Sequence, residues 1–223
     1  MTQVTKSLYI LGCGDVLDAV TDDFSSYSIN QHEVKLHVFE DVSLISEQAD
    51  DIFSQCSPAD CDCFIAVDSH ALNYARLELY GRARLHGFRM RSLIHRSALI
   101  SPSVKIADNV WIGPNVLLGP NCKIGSNTMI GAGSQIDAKV DVASHVWLGA
   151  GCRVGRNTKI SSHSVIGSNI ILQSDAEIGK HALINRIGSW GGRWAAGNFL
   201  EAESRQVAQI VGPGYTFDKK LAV

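Results

Sequence analysis

Residues 109–134 read NVWIGPNVLLGPNCKIGSNTMIGAGS and carry a branched apolar residue at every sixth position. This period continues in both directions without a slip. The positions that share it are Ile94, Ile100, Ile106, Ile112, Leu118, Ile124, Ile130, Ile136, Val142, Leu148, Val154, Ile160, Ile166, Leu172, Ile178 and Ile184. The residue four places after each is small or β-branched, as at Val110, Cys122 and Ser134. An unbroken six-residue period is typical of a parallel β-helix.

Each hexad would supply one short strand and one corner, so three hexads, or eighteen residues, would close one coil. The branched residue would point into a narrow lumen. The corner residue, three places later, must often take positive φ, which Asn, Gly and His tolerate better than most residues. Corner positions hold Asn, Gly, His or Asp at most coils, and Ser97, Ser103 and Lys139 are the exceptions. The pattern predicts about five coils over residues 94–187.

The flanking segments differ from the repeat. In residues 1–93, apolar strand patterns at 7–11, 34–39 and 63–67 alternate with helical patterns at 15–24, 42–53 and 71–86. Such alternation predicts a small Rossmann-like α/β domain with a parallel sheet. Residues 188–223 are expected to cap the last coil, with a helix over 199–210. The predicted fold class is therefore mainly β: a parallel β-helix preceded by an α/β domain.

Composition narrows the class of protein. The net charge of −2 gives no argument for a nucleic-acid or membrane-surface partner. No apolar run has the length of a membrane span, and the N-terminus has no signal-peptide pattern, so we expect a cytoplasmic protein. Six cysteines in a chain without secretion signals are expected to be reduced thiols, with Cys122 and Cys152 filling the lumen.

Residues 109–134 and the stretch HVWLGAGCRVGRNTKISSHSVIGSN at 145–169 resemble the left-handed β-helix of the hexapeptide-repeat acyltransferases. The segment LNYARLELYGRARLHGFRMRSLIHRSALISPS at 72–103 is similar to the entry into the prism in sialic acid and amino-sugar O- and N-acetyltransferases. The resemblance implies an acyltransferase that uses acetyl-CoA and a sugar or nucleotide-linked sugar in surface-polysaccharide synthesis. It also implies a homotrimer, and outward apolar residues at Trp111, Trp147, Val165 and Leu183 would need the cover that neighbouring prisms provide.

Binding residues can be placed only in outline. Gly12 and Gly14, between a strand and a helix, form half of a dinucleotide fingerprint, which is either a phosphate site or a tight turn. Trp147 is a further candidate for the substrate site. Coenzyme A is expected between prisms, where Gly149, Gly155 and Gly167 would leave backbone N–H groups open to it. The arginines of the entry segment either bind phosphates or form a solvated surface: Arg76, Arg82, Arg84, Arg89, Arg91 and Arg96.

The general base is the missing part. In the resembling transferases a His lies two residues after a lumen residue, and the matching position here is Ala138. The remaining imidazoles in a repeated relation are His145, His163 and His181, which are eighteen residues apart and should stack on one corner. Three roles are possible for these histidines. They form a structural ladder, or one of them supplies the general base, with His145 ranked first, or they bind a metal.

Three hypotheses remain open at this point. The first is the acetyl-CoA-dependent sugar acyltransferase. The second is a non-catalytic sugar-binding or assembly module of the same shape, which Ala138 favours. The third is a metalloenzyme like the γ-carbonic anhydrases, although the paired histidines of that family, five residues apart, have no counterpart here. No metal is therefore expected. The sequence does not name the acceptor or distinguish O- from N-transfer.

Overall fold

The computed structural model describes residues 6–27 and 33–209. The α/β unit contains β1 (Ser7–Cys13), α1 (Asp15–Asp22), β2 (Val34–Val38), α2 (Ile45–Ser54), β3 (Cys61–Val67), α3 (Tyr74–Leu85) and β4 (Arg89–Met90). Short 3-10 turns lie at Phe24–Ser26, Val42–Leu44 and His70–Asn73. The strand order is β2-β1-β3-β4 and every pairing is parallel, which confirms the predicted parallel sheet.

The sheet is covered on both sides, because alternate residues of a strand point to opposite faces. Tyr9 and Leu11 belong to a cluster that includes residues of α2 and α3. Leu8 and Ile10 belong to a second cluster, which contains Val16, Leu17 and Val20 of α1 and also residues of the solenoid. The α/β unit is thus packed directly onto the repeat.

The repeat forms a parallel β-solenoid with three faces, and each strand pairs with the strand eighteen residues further on through most of its length. The first face contains Leu93–Ile94, Trp111–Ile112, Met129–Ile130, Trp147–Leu148, Val165–Ile166, Leu183–Ile184 and Asn198–Leu200. The second face contains Leu99–Ile100, Leu117–Leu118, Gln135–Ile136, Arg153–Val154, Ile170–Leu172 and Gly188–Trp190. The third face contains Lys105–Ile106, Lys123–Ile124, Asp141–Val142, Lys159–Ile160, Glu177–Ile178 and Arg193–Trp194.

The lumen follows the sixfold period. From Ile112 to Ile184 every branched lumen residue is buried in one continuous apolar cluster, while Ile94, Ile100 and Ile106 of the first coil are partly buried. The corners follow the period as well, with positive φ at the Asn, Gly, His and Asp positions. Lys139, an exception by residue type, also has φ of 61°. The coil geometry therefore imposes this conformation on a residue that disfavours it.

The solenoid is about six coils long rather than five. Its last coil lies beyond the hexads, since Glu177 pairs with Arg193 and Leu183 with Phe199, sixteen rather than eighteen residues away. The helix predicted over 199–210 is wrong for the described part. Asn198–Leu200 continues the first face and pairs antiparallel with Ala208–Gln209. Residue 210 lies outside the described residues.

The cysteine prediction is wrong at one pair, because Cys56 and Cys61 form a disulfide between the end of α2 and the start of β3. The short loop between them brings the two residues together. Cys13, Cys63, Cys122 and Cys152 are free, and the last two are buried in the lumen as predicted. No helix among the described residues has the length and hydropathy of a transmembrane span. The left-handed sense stays an expectation from the resemblance.

Candidate functional site

One corner of the solenoid carries a polar column made of Asn109, Asn127, His145, His163 and His181. All five residues have positive φ, between 50° and 63°. The three imidazoles stack, with ring centroids 4.9 Å apart for the first pair and 5.0 Å for the second. The predicted stack is therefore confirmed, and it follows from the eighteen-residue register of the coils.

Aromatic residues of α3 cover this column. The ring of Tyr74 is parallel to His163 at 5.1 Å and to His181 at 6.0 Å, and its hydroxyl lies 3.4 Å from Nδ1 of His181. Tyr80 meets His145 edge to face at 5.8 Å. Each imidazole is half-buried as a result. The column lies at the joint between the α/β unit and the solenoid, which the periodicity alone does not reveal.

A chain of side-chain amides fixes the end of the column nearest the first coil. Asn109 Oδ1 accepts the Ile65 amide of β3 at 2.8 Å, and Asn109 Nδ2 donates to Asn127 Oδ1 at 2.7 Å. Asn127 Nδ2, 3.0 Å from His145 Nδ1, must then donate to it. This assignment gives His145 its proton on Nε2 and leaves Nδ1 already occupied as an acceptor.

Arg76 fastens the α/β unit to the column. It is completely buried, although the sequence pattern grouped it with possible phosphate ligands, and that interpretation does not hold for this residue. Its guanidinium donates to oxygen atoms of both units: Val67 O at 2.9 Å, Asp68 O at 3.2 Å, Asn73 Oδ1 at 2.9 Å, Asn127 O at 3.2 Å and Val146 O at 3.4 Å. Asn73, also buried, donates from Nδ2 to His145 O at 2.9 Å.

Burial makes the three histidines of the column weaker bases than free imidazole. Loss of solvation, with the nearby Arg76 cation as a second cause, lowers the pKa of His145 to about 4. Loss of solvation and the neighbouring imidazoles lower the pKa of His163 to about 4, and the pKa of His181 is lowered by burial and by Lys180. Nδ1 of His163 has no hydrogen-bond partner among the described residues. The imidazoles are therefore neutral at pH 7, because cations lose more than neutral rings on desolvation.

The position of the missing histidine lies at a different corner, between the second and third faces. The Ala138 amide donates to Oδ1 of Asp137 at 2.7 Å, and Lys139 occupies the strained corner next to it. A groove of about 480 Å³ runs along the second face beside this corner. Its residues, which define the second-face groove, include Leu117, Gln135, Asp137, Arg153, Gly155 and Ile171.

The three glycines proposed for coenzyme A have a clear structural role. Their amides donate to the next coil, each at 2.8 Å: Gly149 to Ile166 O, Gly155 to Leu172 O and Gly167 to Ile184 O. A Cβ on any of them would lie within 2.6 Å of an atom of the next coil. The expectation that these N–H groups are open is therefore wrong, although Gly155 does line the second-face groove.

A side chain of the α/β unit itself, Asp68, occupies the glycine loop. Gly14 has φ of 89°, and Asp68 accepts the amides of Asp15 at 2.8 Å and Val16 at 3.1 Å. A carboxylate thus takes the helix N-terminal amides that a phosphate would use. A Cβ at Gly14 would meet Asp68, so the glycine is needed for this contact.

The tryptophan column is covered by the chain itself, which corrects the argument that these residues need a neighbouring protomer. Trp111 is buried and donates from Nε1 to the Tyr27 hydroxyl at 3.1 Å. Trp147 is half-buried against the same apolar cluster, with the Arg76 guanidinium 5.8 Å from its ring centroid. Val165 is buried and Leu183 is half-buried.

The remaining arginines lie on the surface. Arg82 pairs with Asp50 and Glu78, each at 2.9 Å. Arg84 pairs with Asp108 at 2.8 Å, and Arg91 pairs with the buried Asp62 at 2.9 Å. Arg89 and Arg96 are exposed. Among the described residues, no group of three or more His, Cys, Asp or Glu side chains is placed to hold a metal ion.

Comparisons with known proteins agree with this architecture. Residues 103–138 match the family model described as bacterial transferase hexapeptide (six repeats). A search of curated proteins finds no match. The structure is similar to WeeI from Acinetobacter baumannii AYE, with a TM-score of 0.72 and 18% identity over 92% of this chain and 100% of that one.

Two further solved structures share the fold over both units. One is the acetyltransferase domain of PglB from Neisseria gonorrhoeae FA1090 in complex with acetyl coenzyme A, with a TM-score of 0.61 and 14% identity, covering 92% of this chain and 100% of that one. The other is a mutant of perosamine N-acetyltransferase from Caulobacter crescentus in complex with CoA and GDP-perosamine, with a TM-score of 0.54 and 17% identity, covering 91% and 96%. The chain therefore has the hexapeptide-repeat architecture of bacterial transferases, as its sixteen periodic residues and their resemblance to that family predicted.

Proposed function

We propose that this chain is an acyltransferase that moves an acetyl group from acetyl-CoA to a sugar or nucleotide-linked sugar in surface-polysaccharide synthesis. The observation that carries the proposal is the pairing of a four-stranded parallel unit with a hexapeptide solenoid. Both are shared, over more than nine-tenths of the chain, with the structures in complex with acetyl coenzyme A or with CoA and GDP-perosamine.

The second-face groove is the proposed donor site. The first face is covered by the α/β unit, and the outward residues of the third face are largely charged, as at Lys123, Asp141 and Glu177. Within the described part of the solenoid, only strands of the second face expose large apolar residues, with Leu99, Leu117 and Ile171 at 69%, 42% and 42% of full exposure, and Gln135 and Arg153 lie between the last two. In a homotrimer this face would meet a neighbouring prism and enclose the pantetheine arm.

The acceptor is proposed to bind at the carboxyl ends of the sheet strands, where open α/β sheets bind ligands. The turn at His70–Asn73 follows β3 there and leads into Tyr74, which stacks on the histidine column. Asp68 excludes a phosphate from the α1 N-terminus. We therefore assign this edge to the sugar rather than to the diphosphate of a nucleotide-linked acceptor.

His181 is the strongest base among the three histidines. Nδ1 of His145 is engaged by Asn127, and the pKa values of His145 and His163 near 4 are poorly matched to proton transfer at pH 7. His181 is at the end of the stack and is the least deeply buried of the three. If its Nδ1–H donates to the Tyr74 hydroxyl, the lone pair on Nε2 remains to accept a proton from the acceptor.

The test measures CoA release from acetyl-CoA by chromatography, with free amino sugars and their UDP- and GDP-linked forms as acceptors. We expect turnover with at least one acceptor. His181→Ala should lower kcat on the order of 10²-fold or more at unchanged Tm. His37→Ala, which removes a half-buried imidazole from β2, is the control and should keep kcat.

A non-catalytic sugar-binding module is the second candidate, favoured by Ala138 at the position of the family histidine. Binding of a sugar nucleotide without any calorimetric signal from millimolar acetyl-CoA would support this module and exclude the transferase. Normal turnover in all three single histidine variants would instead keep the transferase and make the column structural.

A further inference from the structure

A second groove lies at the opposite edge of the α/β unit, where the strands begin. It has a volume of about 620 Å³ and runs between the end of α3, β4 and the first coil of the solenoid. We call it the arginine groove, and define it by Leu8, Arg84, Arg89, Met90, Ile106 and Asp108. Because β1 runs from Ser7 to Cys13, the length of the strand separates this groove from the glycine loop.

The charges of the groove are arranged by two ion pairs. Asp108 holds Arg84 at 2.8 Å, while Tyr80 donates to the other oxygen of Asp108 at 3.0 Å. Asp62 anchors the Nε atom of Arg91, which also lines the groove, at 2.9 Å. Two guanidinium groups are thus fixed in place by carboxylates.

Arg89 gives the groove an uncompensated charge. Its side chain is exposed and makes no hydrogen bond or ion pair with any residue in the described ranges, 6–27 and 33–209, while its backbone pairs with β3. Lys6 also lies 3.9 Å from Asp62, so four cations against two aspartates leave two net positive charges. This excess is notable in a unit whose first 62 residues contain twelve acidic and two basic side chains.

We propose that the arginine groove binds an organic phosphate of nucleotide size, with the phosphate on Arg89 and the exposed part of Arg84. Guanidinium forks match phosphate oxygens in pairs and are weakly hydrated, so they favour phosphate in a partly buried site. Leu8 and Met90 lie behind the groove at 1% and 4% exposure, so the half-buried Ile106 supplies most of the apolar contact for a base or ring. The volume lies in the range of small-molecule sites.

This site does not depend on acyl transfer. It lies apart from the second-face groove and from the carboxyl ends of the strands, and it approaches the histidine column only through Asp108, which accepts a hydrogen bond from Tyr80 beside His145. The coils that carry Ile106 and Asp108 adjoin it, and the ligand would bridge the α/β unit and the solenoid.

The experiment measures binding of UDP, uridine and inorganic pyrophosphate by calorimetry at low salt. We expect UDP to bind more tightly than either part. Arg89→Ala should raise the Kd for UDP roughly tenfold or more, a change of about 1.4 kcal/mol, and Arg89→Lys should restore part of the affinity. Arg82→Ala is the matched control, because its guanidinium pairs with Asp50 and Glu78 outside the groove.

Equal UDP affinity in the wild type, Arg89→Ala and Arg82→Ala would overturn the proposal, even if UDP binds at an acceptor site elsewhere. Pyrophosphate binding as tight as UDP would overturn the apolar contact as part of the site. A crystal soaked with UDP provides the second measurement, and density away from Arg89 would also refute the assignment. Absence of acetyl transfer would count against the proposed function but would not change the result of these UDP-binding measurements.

Discussion

Replacing Arg76 by methionine should detach the α/β unit from the solenoid more than any surface change does. Methionine fills much of the volume of the arginine stem but donates no hydrogen bond. Five oxygen atoms lose a charged donor, and one of them, Val146 O, keeps the Met129 amide at 3.0 Å. The other four, on both units, lose the guanidinium contact.

The magnitude follows from two opposing effects. An unsatisfied buried acceptor costs about 1–3 kcal/mol, so the three buried ones give a gross loss of roughly 3–9 kcal/mol, and the part-buried Asp68 O adds less. Removing a fully buried cation returns its desolvation cost, which burial of Arg76 makes large enough to lower its pKa to about 9. The net loss expected from breaking such a buried charged network is about 3–5 kcal/mol.

The assay is urea unfolding followed by tryptophan fluorescence, to which Trp147 contributes from the joint beneath Arg76. Arg82→Met, on the same helix but paired at the surface, is the control and should lose less than about 1 kcal/mol. If Arg76→Met loses no more stability than Arg82→Met, the guanidinium is not what joins the two units.

Three further predictions concern the column, the coils and the second face. Burial lowers the folded pKa of His145 from 6.5 to about 4, so the unfolded chain binds the proton first and stability falls as pH drops from about 6.5 to 4. His145→Asn should reduce the slope of Tm against pH in that window, where His163 still contributes, and an unchanged slope would contradict this. Gly149→Ala places a Cβ 2.6 Å from a backbone nitrogen and should cost about 1–3 kcal/mol, whereas Gly81→Ala, with nothing within 4 Å, should stabilise α3; similar Tm values for the two would count against the close packing of coils. Light scattering should give three times 24.1 kDa for the wild type and a lower mass for the Leu117→Asp, Ile171→Asp double variant, and a monomeric wild type would exclude the trimer.

The lumen and the corners could be read from sequence because the coil repeats one environment every eighteen residues. Within such a coil, branched side chains six residues apart all point into the lumen. The stack of His145, His163 and His181 follows from the same arithmetic. Local helix and strand patterns in the α/β unit were sufficient for its parallel sheet, because they depend on neighbours along the chain.

Contacts between the two units could not be predicted in this way. Nothing in the spacing of Arg76 distinguishes it from Arg82 or Arg84, six and eight residues later on the same helix, yet one is buried and the others are on the surface. The cover of Trp111 by Tyr27 joins residues 84 positions apart. Such contacts are set by how the sheet packs on the first face, and no periodic pattern encodes them.

The hexad pattern did not predict the last coil, for a different reason. Its strands pair sixteen residues on from Glu177 and Leu183, so the hexad count is broken while the hydrogen-bond ladder continues. Trp194 fills the lumen position at this end and is buried beside Trp190, whose ring it meets edge to face. Trp190 and Trp194 thus occupy the positions that branched aliphatic residues hold in the earlier coils, because they pair with Leu172 and Ile178.

The eighteen-residue register of the solenoid also fixes which coils the α/β unit can contact. The α/β unit contacts the coils that contain Leu93, Trp111, Met129 and Trp147. Tyr74 extends the contacted span to the coils of His163 and His181. Insertion or removal of one whole coil within that span would shift every later row by one step against α3. A coil added after Ile184 would lengthen the solenoid beyond its contacts with the α/β unit. The number of coils can therefore change at this end without disturbing the packing of the two units.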